Sequence, residues 1–270
     1  MKKGNVFVVV SILALAFLLL PSGNAAPKRD TSWEEIVKKG EFVLGLDDSF
    51  PPMGFRDDQG QIVGFDIDVA KAVCQRLQIN LKLQPINWDA KEQELNTKNI
   101  DCIWNGLTIT PERQKNLLFT KPYMKNRQVV VVCGNSGLSS LAALAGKRLG
   151  LQAGSSAKDA LDKASNFKAS LAEVIEFDEN MTALMDLEMG GVDAVLMDEI
   201  VARYYIQQRN KNFVVLDEAL AGEEYGIGFR KNDQELMAKV QETLEAMAKD
   251  GSLAAISHKW FGENITIIAK

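Results

Sequence analysis

Short apolar segments rich in β-branched residues alternate with amphipathic segments of helical length along nearly the whole chain, and this alternation restricts the fold most. The apolar segments lack a polar residue at every second position, so we expect strands that are buried on both faces. Alternation of this kind predicts α/β layers with mainly parallel sheets. The predicted strands are Phe42–Leu46, Leu81–Ile86, Ile100–Trp104, Gln128–Val132, Leu149–Gln152, Val174–Phe177, Ala194–Met197, Phe213–Leu216 and Tyr225–Phe229.

Two of the intervening helices are well defined by their apolar spacing. Asp66–Leu77 carries a stripe that includes Val69 and Val73, at the spacing of one helix face. Asp233–Lys249 has the same spacing and stops before Gly251, a residue type suited to the left-handed position after a helix. Both segments are therefore predicted to pack one face against a sheet or a neighbouring helix.

The N-terminus has the features of a signal peptide. Lys2 and Lys3 form a basic start, Val6–Leu20 is an almost unbroken apolar run, and Pro21–Ala26 supplies small residues for cleavage. The apolar run is shorter than the roughly 20 residues that a membrane-spanning helix needs. We therefore predict an exported protein whose signal peptide is cleaved near Ala26, with an uncleaved N-terminal anchor as the alternative.

The charge balance argues against a nucleic-acid partner. Without Lys2 and Lys3, 29 of the 31 basic residues remain against 36 acidic ones, and the net charge is −7. Nucleic-acid binding requires a basic surface, so it is not expected here. The 244 residues after residue 26 suffice for one large domain. They also suffice for two domains of about 100–150 residues each.

Two segments are predicted to carry the chain between two lobes. Lys121–Arg127 leads into the extended strand Gln128–Val132, and Ala221–Glu224 leads into Tyr225–Phe229. Two crossings make one lobe discontinuous in sequence, and ligands of such proteins lie in the cleft near the carboxyl ends of the strands. The predicted division is 1–26 signal peptide, 27–124 first part of lobe 1, 125–222 lobe 2, and 223–270 second part of lobe 1.

The segment around Arg113 has the pattern of a carboxylate-binding site. Gly106 follows a predicted strand and allows close approach of the backbone to a ligand. Thr110 can cap a helix whose first residue is Pro111, with Glu112 in the first turn. Arg113 then stands at the helix start, where a guanidinium can grip a carboxylate through two parallel bonds. The alternative is an ordinary capped helix with a surface arginine.

Five motifs occur in a fixed order over residues 40–262. They are Leu44–Phe55, Gly60–Ala70, Gly106–Arg113 with Phe119–Tyr123, Gly146–Ser156, and Asp193–Asp198. In this order they resemble the polar amino-acid-binding proteins of bacterial ABC importers, the group of glutamine, histidine and lysine/arginine/ornithine receptors. Each motif alone is weak evidence, but five in the right order and spacing are strong.

The resemblance implies a two-lobed periplasmic-binding-protein fold, with two mixed sheets flanked by helices and joined by two hinge strands. It implies a receptor that captures a free polar or cationic L-amino acid by hinge closure and delivers it to a membrane-embedded ABC permease. A monomer without a cofactor or metal is expected. The sequence alternative is a catalytic relative on the same fold, such as a cyclohexadienyl or arogenate dehydratase, and a sensory module is a third class.

The resemblance also implies roles for individual residues. Arg113 holds the ligand α-carboxylate, and Thr108 with the backbone of Gly106 contacts the carboxylate and the ammonium from the first lobe. Ser156 donates its backbone N–H to the carboxylate from the second lobe, and Asp198 accepts hydrogen bonds from the α-ammonium. Without the resemblance, Asp198 is most simply interpreted as the N-cap of a following helix.

Side-chain selectivity is assigned to aromatic and acidic residues. Phe50 and Trp88 stand where the similar proteins place aromatics that sandwich the ligand side chain, although an aromatic residue after a strand is more often core. Asp47 stands at a position that glutamine and cationic receptors use. Asp66 and Glu92 are further acidic candidates for the side-chain end. Asp47, Asp66, Glu92 and Asp198 could each in principle act as an acid or base.

The three cysteines match no zinc-binding spacing. The resemblance places Cys74 at one half of a disulfide of the cationic receptors, but the partner position here is Leu81, so a buried thiol is expected. Cys102 and Cys133 flank the predicted hinge strands and are the candidate pair for a disulfide. The only histidine, His258, lies in a predicted terminal helix away from the cleft.

Overall fold

The computed structural model describes Met1, residues 29–209 and residues 212–268. The predicted signal peptide, with its cleavage near Ala26, lies outside the described residues. In the part of the chain that the structure describes, no helix is long and apolar enough to cross a bilayer.

Helices and strands alternate as the sequence predicts. The helices are α1 (Ser32–Lys39), α2 (Phe65–Leu77), α3 (Lys91–Asn96), α4 (Pro111–Asn116), α5 (Ser156–Lys163), α6 (Ser165–Ser170), α7 (Asn180–Met189), α8 (Glu199–Arg209), α9 (Gln234–Asp250) and α10 (Ser252–Phe261). The strands are β1 (Glu41–Leu46), β2 (Ser49–Phe50), β3 (Gly54–Arg56), β4 (Ile62–Val63), β5 (Asn80–Pro85), β6 (Cys102–Ile103), β7 (Leu117–Phe119), β8 (Met124–Cys133), β9 (Arg148–Gln152), β10 (Glu173–Phe177), β11 (Ala194–Asp198), β12 (Phe213–Tyr225) and β13 (Gly228–Arg230). The segments Trp88–Ala90 and Leu141–Leu144 are 3₁₀ turns.

Ten of the thirteen described strands form two five-stranded mixed sheets, and β2, β3 and β4 form a small antiparallel sheet of their own. An α/β fold with mixed sheets is thereby confirmed. The first sheet has the order β5-β1-β6-β13-β7, with β1 parallel to β5 and β6, and β13 antiparallel to β6 and β7. The second sheet has the order β10-β9-β11-β8-β12, with β9 parallel to β10 and β11, and β8 antiparallel to β11 and β12. The expectation of mainly parallel sheets was wrong, because one strand in each sheet, β13 in the first and β8 in the second, runs against both of its neighbours, so that half of the pairings are antiparallel.

We call the part of the molecule built on the first sheet the first lobe, and the part built on the second sheet the second lobe. β8 and β12 belong to the second sheet, while β7 before them and β13 after them belong to the first. Isolated bridges from Tyr225 to Thr108 and from Met124 to Thr266 attach their ends to first-lobe residues. These contacts are consistent with lobe boundaries after residues 124 and 222. The division of the chain into these lobes stays a prediction.

The second crossing differs from its predicted form. Ala221–Glu224 was expected as a linker before a new strand, but it lies inside β12. β8 offers a full antiparallel partner edge, so pairing of the backbone outweighs the glycine and glutamate content of this segment. β12 accommodates the long pairing with register shifts between Val215 and Ala219 and between Ala219 and Ala221.

The predicted helix faces lie in the core. On α2, Val69 and Val73 are buried, and α9 ends at Gly251, which adopts the left-handed conformation with φ 84°. α9 packs against α1, α2 and α10. The helical periodicity therefore identified these buried surfaces correctly.

Cys102 and Cys133, the candidate pair, do not form a disulfide, since all three cysteines are free thiols. Cys102 is buried in β6 of the first sheet, whereas Cys133 ends β8 in the second sheet. Cys133 is nine residues along β8 from the end that contacts the first lobe, a distance of about 30 Å in an extended strand. Cys74 is a buried thiol as expected, and burial raises its pKa to about 12.

Gly64, immediately before α2, is a position where a side chain has no room. Its φ is +145°, and a Cβ there would lie 2.2 Å from the carbonyl oxygen of Met53. Gly64→Ala is therefore expected to lower the free energy of unfolding by about 3 kcal/mol. Urea denaturation followed by tryptophan fluorescence measures this loss.

Gly60→Ala is the matched control for this prediction. Gly60 also has a positive φ, +76°, but nothing lies within 4 Å of the position of its Cβ. The backbone conformation alone then costs about 1 kcal/mol. Equal losses in the two variants would contradict the steric argument for Gly64.

Candidate functional site

A small buried cavity lies between the two lobes. Its volume is about 10 Å³. Space of this size holds at most about one water molecule. The residues that line it are Phe50, Trp88, Gly106, Thr108 and Arg113 from the first lobe, and Gln152, Ser155, Ser156 and Asp198 from the second.

The cavity brings together seven of the eight residues predicted as ligand contacts. The eighth, Asp47, lies behind Gln152 and accepts a hydrogen bond from its Nε2 at 2.8 Å. The sequence therefore identified groups that share one enclosed space, although they are spread over more than 150 positions between Asp47 and Asp198. Their individual roles toward a ligand stay predictions.

Arg113 is positioned by the helix start that the sequence predicted. Thr110 accepts a hydrogen bond from the backbone N–H of Arg113 at 3.1 Å, and Pro111 is the first residue of α4. The guanidinium is buried and donates from Nη1 to the carbonyl of Thr108 at 2.9 Å and from Nη2 to the carbonyl of Gly154 at 3.0 Å. The second bond crosses the cleft. The interpretation as a surface arginine is thus wrong.

Asp198 ends β11 on the opposite side of the cavity. Its Oδ1 accepts hydrogen bonds of 2.6 Å from Asn126 Nδ2 and 2.6 Å from the hydroxyl of Tyr225. Burial is the main cause that raises the pKa of Asp198 to about 7, and the charge of Glu223 raises it further. The positive charge of Arg113 acts in the opposite direction and lowers this pKa.

Two hydroxyl groups meet across the cleft. Ser156, the first residue of α5, has its Oγ 3.1 Å from Oγ1 of Thr108. The two residues belong to different lobes, and both are nearly inaccessible to solvent. A ligand between the lobes would therefore find one hydroxyl from each side.

Glu223 is the site residue that sequence reasoning missed. Its Oε2 accepts hydrogen bonds from Thr108 Oγ1 at 3.0 Å, Ser156 Oγ at 3.1 Å, Gln128 Nε2 at 3.0 Å and Asn126 Nδ2 at 3.2 Å. All four donors are uncharged. A carboxylate from a strand that joins the lobes thus contacts both hydroxyls of the cleft.

One signal in the sequence pointed to Glu223. Residues two apart in a strand share a face, so Glu223 lies on the same face of β12 as Tyr225. Tyr225 is wholly buried and bonds to Asp198. The signal was lost because Glu223 was assigned to a linker, where no alternation of faces is expected.

The end of the cavity near Phe50 and Trp88 is aromatic, with polar groups behind it. Asp47 accepts hydrogen bonds from the backbone N–H of Ser49 at 2.9 Å and from its hydroxyl at 2.7 Å, in addition to the bond from Gln152. Burial raises the pKa of Asp47. Gln152 Oε1 accepts from Asn180 Nδ2 at 2.9 Å. Gln152 is therefore held between the carboxylate of one lobe and an amide of the other.

Lys91 is a second buried cation near the aromatic end. Its Nζ lies 5.2 Å from the centre of the Trp88 ring, and donates to the carbonyls of Trp88 at 3.0 Å and Gly154 at 2.7 Å. Burial first, and then the charge of Arg113, lowers the pKa of Lys91 to about 7. The bond to Gly154 makes Lys91 another contact between the lobes.

Gly106 is required by the packing of two rings. It has φ +58°, and a Cβ would lie 2.8 Å from Phe50 and 3.3 Å from Tyr225. Its backbone N–H donates to Oδ2 of Asp66 at 2.8 Å. The absence of a side chain thus lets the backbone of residue 106 line the cavity, while its N–H group is bonded to Asp66 on the side away from the cavity.

Asp66 and Glu92 do not face the cavity, contrary to expectation. Asp66 is wholly buried behind Gly106, where its Oδ2 also accepts from the hydroxyl of Tyr123 at 2.9 Å. Burial raises the pKa of Asp66 to about 7. Glu92 lies at the surface, where its Oε2 is 3.4 Å from Asn116 Nδ2. Because α2 starts behind the cleft and α3 starts outside it, neither helix directs these carboxylates inward.

A buried polar site between two mixed α/β lobes defines a binding protein that encloses a small ligand in a cleft. Residues 42–263 match the bacterial extracellular solute-binding proteins, family 3, and the chain belongs to that family. The resemblance predicted from the five motifs is thereby confirmed.

Named relatives match the chain in sequence over most of their length. The chain is 32% identical over 234 residues to the L-cystine-binding protein TcyJ of Escherichia coli (strain K12), covering 86% of each protein. It is 30% identical over 263 residues to the lysine/arginine/ornithine-binding periplasmic protein of that strain, covering 94% of this chain and 98% of the relative. It is also similar to the solved structure of an ABC uptake transporter substrate binding protein from Streptococcus pneumoniae with bound histidine, with a TM-score of 0.85 and 37% identity over 88% of this chain and 98% of the other.

The buried carboxyl of Asp66 predicts a pH dependence of stability. Its pKa is about 7 in the folded protein and 3.8 as the ordinary value, so the folded state holds the proton where the unfolded state has lost it. Stability due to this group is therefore present at pH 4 and falls as the pH rises to 7, by at most about 1.4 kcal/mol per pH unit. Denaturant unfolding at pH 5 and pH 8 should show the wild type more stabilised by acid than Asp66→Asn.

An asparagine oxygen can still accept from Gly106 and Tyr123, so the variant removes the titration and keeps the contacts. Asp58→Asn, at an exposed position, is the control and should leave the pH dependence as in the wild type. Equal pH dependence of wild type and Asp66→Asn would show that Asp66 is already ionised in the folded protein.

Proposed function

We propose that this protein is an extracytoplasmic receptor that captures a free polar or cationic L-amino acid between its lobes and delivers it to an ABC permease. The observation that carries the proposal is that Arg113 and Asp198, from opposite lobes, line the same buried cavity. Export with cleavage near Ala26, and action as a monomer, belong to the same proposal. The relatives described above are named as binding proteins, and the proposal includes no chemical step on the ligand.

The two ends of an amino acid need partners of opposite charge. A zwitterion that leaves water loses its hydration, and binding is prevented unless both charges are paired. In the proposed complex Arg113 turns from the carbonyls of Thr108 and Gly154 to the α-carboxylate, which also receives the backbone N–H of Ser156. Asp198 accepts from the α-ammonium. The main-chain groups of the ligand are thus recognised regardless of its side chain.

The side chain of the ligand is assigned to the space beside Phe50 and Trp88. Two aromatic rings suit an alkyl stem or a planar cation. Beyond them, Asp47 and Gln152 offer polar groups to the far end of the side chain. The relatives named for cystine and for lysine, arginine and ornithine, and the neighbour with bound histidine, support a polar or cationic ligand.

Capture requires the lobes to separate. A cavity of about 10 Å³ has no room for an amino acid, and the residues that close it are hydrogen-bonded across the cleft. β8 and β12, which join the lobes, are the proposed hinge. A ligand that contacts both lobes shifts the population from open to closed by its differential affinity for the two forms.

Replacement of Arg113 tests the proposed carboxylate partner. The ligand to use is the amino acid that most raises the melting temperature among the twenty common amino acids and L-cystine, because a ligand held only by the folded form stabilises it. Arg113→Ala is expected to weaken its binding by about 100-fold or more, since a buried charge partner is removed. Titration calorimetry measures the affinity.

Arg113→Lys keeps the charge but loses the two parallel bonds, so an intermediate affinity is expected. Arg76→Ala, which removes an exposed arginine paired with Asp250, is the control and should bind as the wild type does. Wild-type affinity in Arg113→Ala, measured on folded protein, would overturn the assignment.

Hinge closure predicts compaction on binding. Small-angle X-ray scattering of the wild type should give a smaller radius of gyration with saturating ligand than without it. Arg113→Ala at the same ligand concentration should keep the radius of the ligand-free sample. If a calorimetrically saturated wild type shows no change in radius, the ligand binds without closure.

A further inference from the structure

The register of three strands places two carboxylates beside each other at the hinge. β8 lies between β11 and β12, with Gln128 opposite Asp198 on one side and Asn126 opposite Glu223 on the other. Asn126 and Gln128 are two residues apart, so their amides project from the same face of β8. Asp198 and Glu223 therefore converge from flanking strands on a pair of amide groups.

A single nitrogen atom joins the two carboxylates. Asn126 Nδ2 lies 2.6 Å from Asp198 Oδ1 and 3.2 Å from Glu223 Oε2. Asp198 is buried and Glu223 is half-buried, and the negative charge of each carboxylate disfavours ionisation of the other. In agreement with this repulsion, the charge of Glu223 raises the pKa of Asp198.

The charged groups around Asp198 and Glu223 do not neutralise both carboxylates. Arg113 is a cation that acts on both Asp198 and Glu223. Asp159 on α5 and Glu92 on α3 also act on Arg113, and Arg113 in turn acts on the second buried cation, Lys91. Tyr225 donates to Asp198 as a neutral hydroxyl, and burial with the charge of Asp198 raises its pKa well above the ordinary value. Glu223 Oε2 is bonded by neutral hydroxyls and amides, as described above. An added cation would balance this group.

We propose that Glu223 is a ligand-binding residue that forms, with Asp198, a two-carboxylate subsite for an ammonium group of the ligand, and that the ligand displaces a proton held by this pair. This inference rests on the proposed function. The position of Glu223 supports it, because Glu223 contacts Thr108 and Ser156, the two hydroxyls assigned to the ligand.

The step is a proton exchange without covalent change. Before binding, one proton is held on Asp198, beside the carboxyl group of Glu223. The ligand enters as an ammonium ion and keeps its three N–H bonds. The O–H bond of the pair breaks, its electron pair stays on the carboxylate oxygen, and the proton passes to the buffer.

Titration calorimetry at pH 6 and pH 7.5, in two buffers of different ionisation enthalpy, counts the protons released. The probe is the most tightly bound of L-arginine, L-lysine and L-glutamine, which stay in one principal ionisation state over this range. The wild type should release close to one proton at pH 6 and bind about tenfold more tightly at pH 7.5. Glu223→Gln should bind at least tenfold more weakly at pH 7.5 and release much less proton at pH 6.

Glu224→Gln is the matched control, because Glu224 is the next residue of β12 and its side chain is exposed on the other face. It should match the wild type in affinity, proton release and pH dependence. Circular dichroism confirms that each variant is folded. If Glu223→Gln does not fold, the number of protons that the wild type releases at pH 6 tests the inference without the variant.

The outcomes separate this inference from the proposed function. Binding of an amino acid by the wild type without proton release at pH 6 overturns the inference and leaves the receptor function intact. Tighter binding by Glu223→Gln would also overturn it, because Glu223 would then compete with the ligand for Thr108 and Ser156. If the wild type binds none of the twenty amino acids or L-cystine, the proposed function fails and the inference fails with it.

Discussion

The antiparallel pairing of β8 with β12 is the constraint on which the site depends. The ladder runs from Cys133 opposite Phe213 to Met124 opposite Tyr225, so the second lobe is tied to the first at one end of the ladder. Because β11 pairs with the other edge of β8, every side chain on the inner face of these strands has fixed neighbours. The position of Asp198 relative to Glu223 follows from this register and from no local feature of either residue.

The contacts across the cleft are polar, and this suits a protein that must open again. Arg113 meets Gly154, Ser156 meets Thr108, and Gln152 meets Asp47. Each of these groups can exchange its partner for water when the lobes separate, and such exchanges change the free energy by only about 0.5–1.5 kcal/mol per bond. An apolar interface of the same size would hold the lobes together whether or not a ligand were present. With a polar interface, the bound ligand determines whether the closed form is the more populated one.

Recognition and selectivity are assigned to separate parts of the cavity. The charges that suit the backbone of any amino acid, Arg113 and Asp198, are fixed by α4 and β11. Phe50, Trp88 and the pair of Asp47 with Gln152 lie elsewhere in or behind the cavity, on shorter elements and at strand ends. Under the proposed function, a change of ligand requires changes only in the second group of residues, which suits a family whose relatives are named for cystine and for lysine, arginine and ornithine.

The sequence by itself determined the α/β class, the apolar faces of α2 and α9, the capped start of α4 with Arg113, and the family through its ordered motifs. These depend on spacings of a few residues, which local periodicity records. Only the tertiary structure decided that Glu223 joins the site, that Asp66 lies behind Gly106, and that Cys102 and Cys133 are far from pairing. Glu223 and Thr108 are 115 positions apart and meet because of strand register. No local pattern encodes such a meeting, since it depends on how the paired strands place whole lobes.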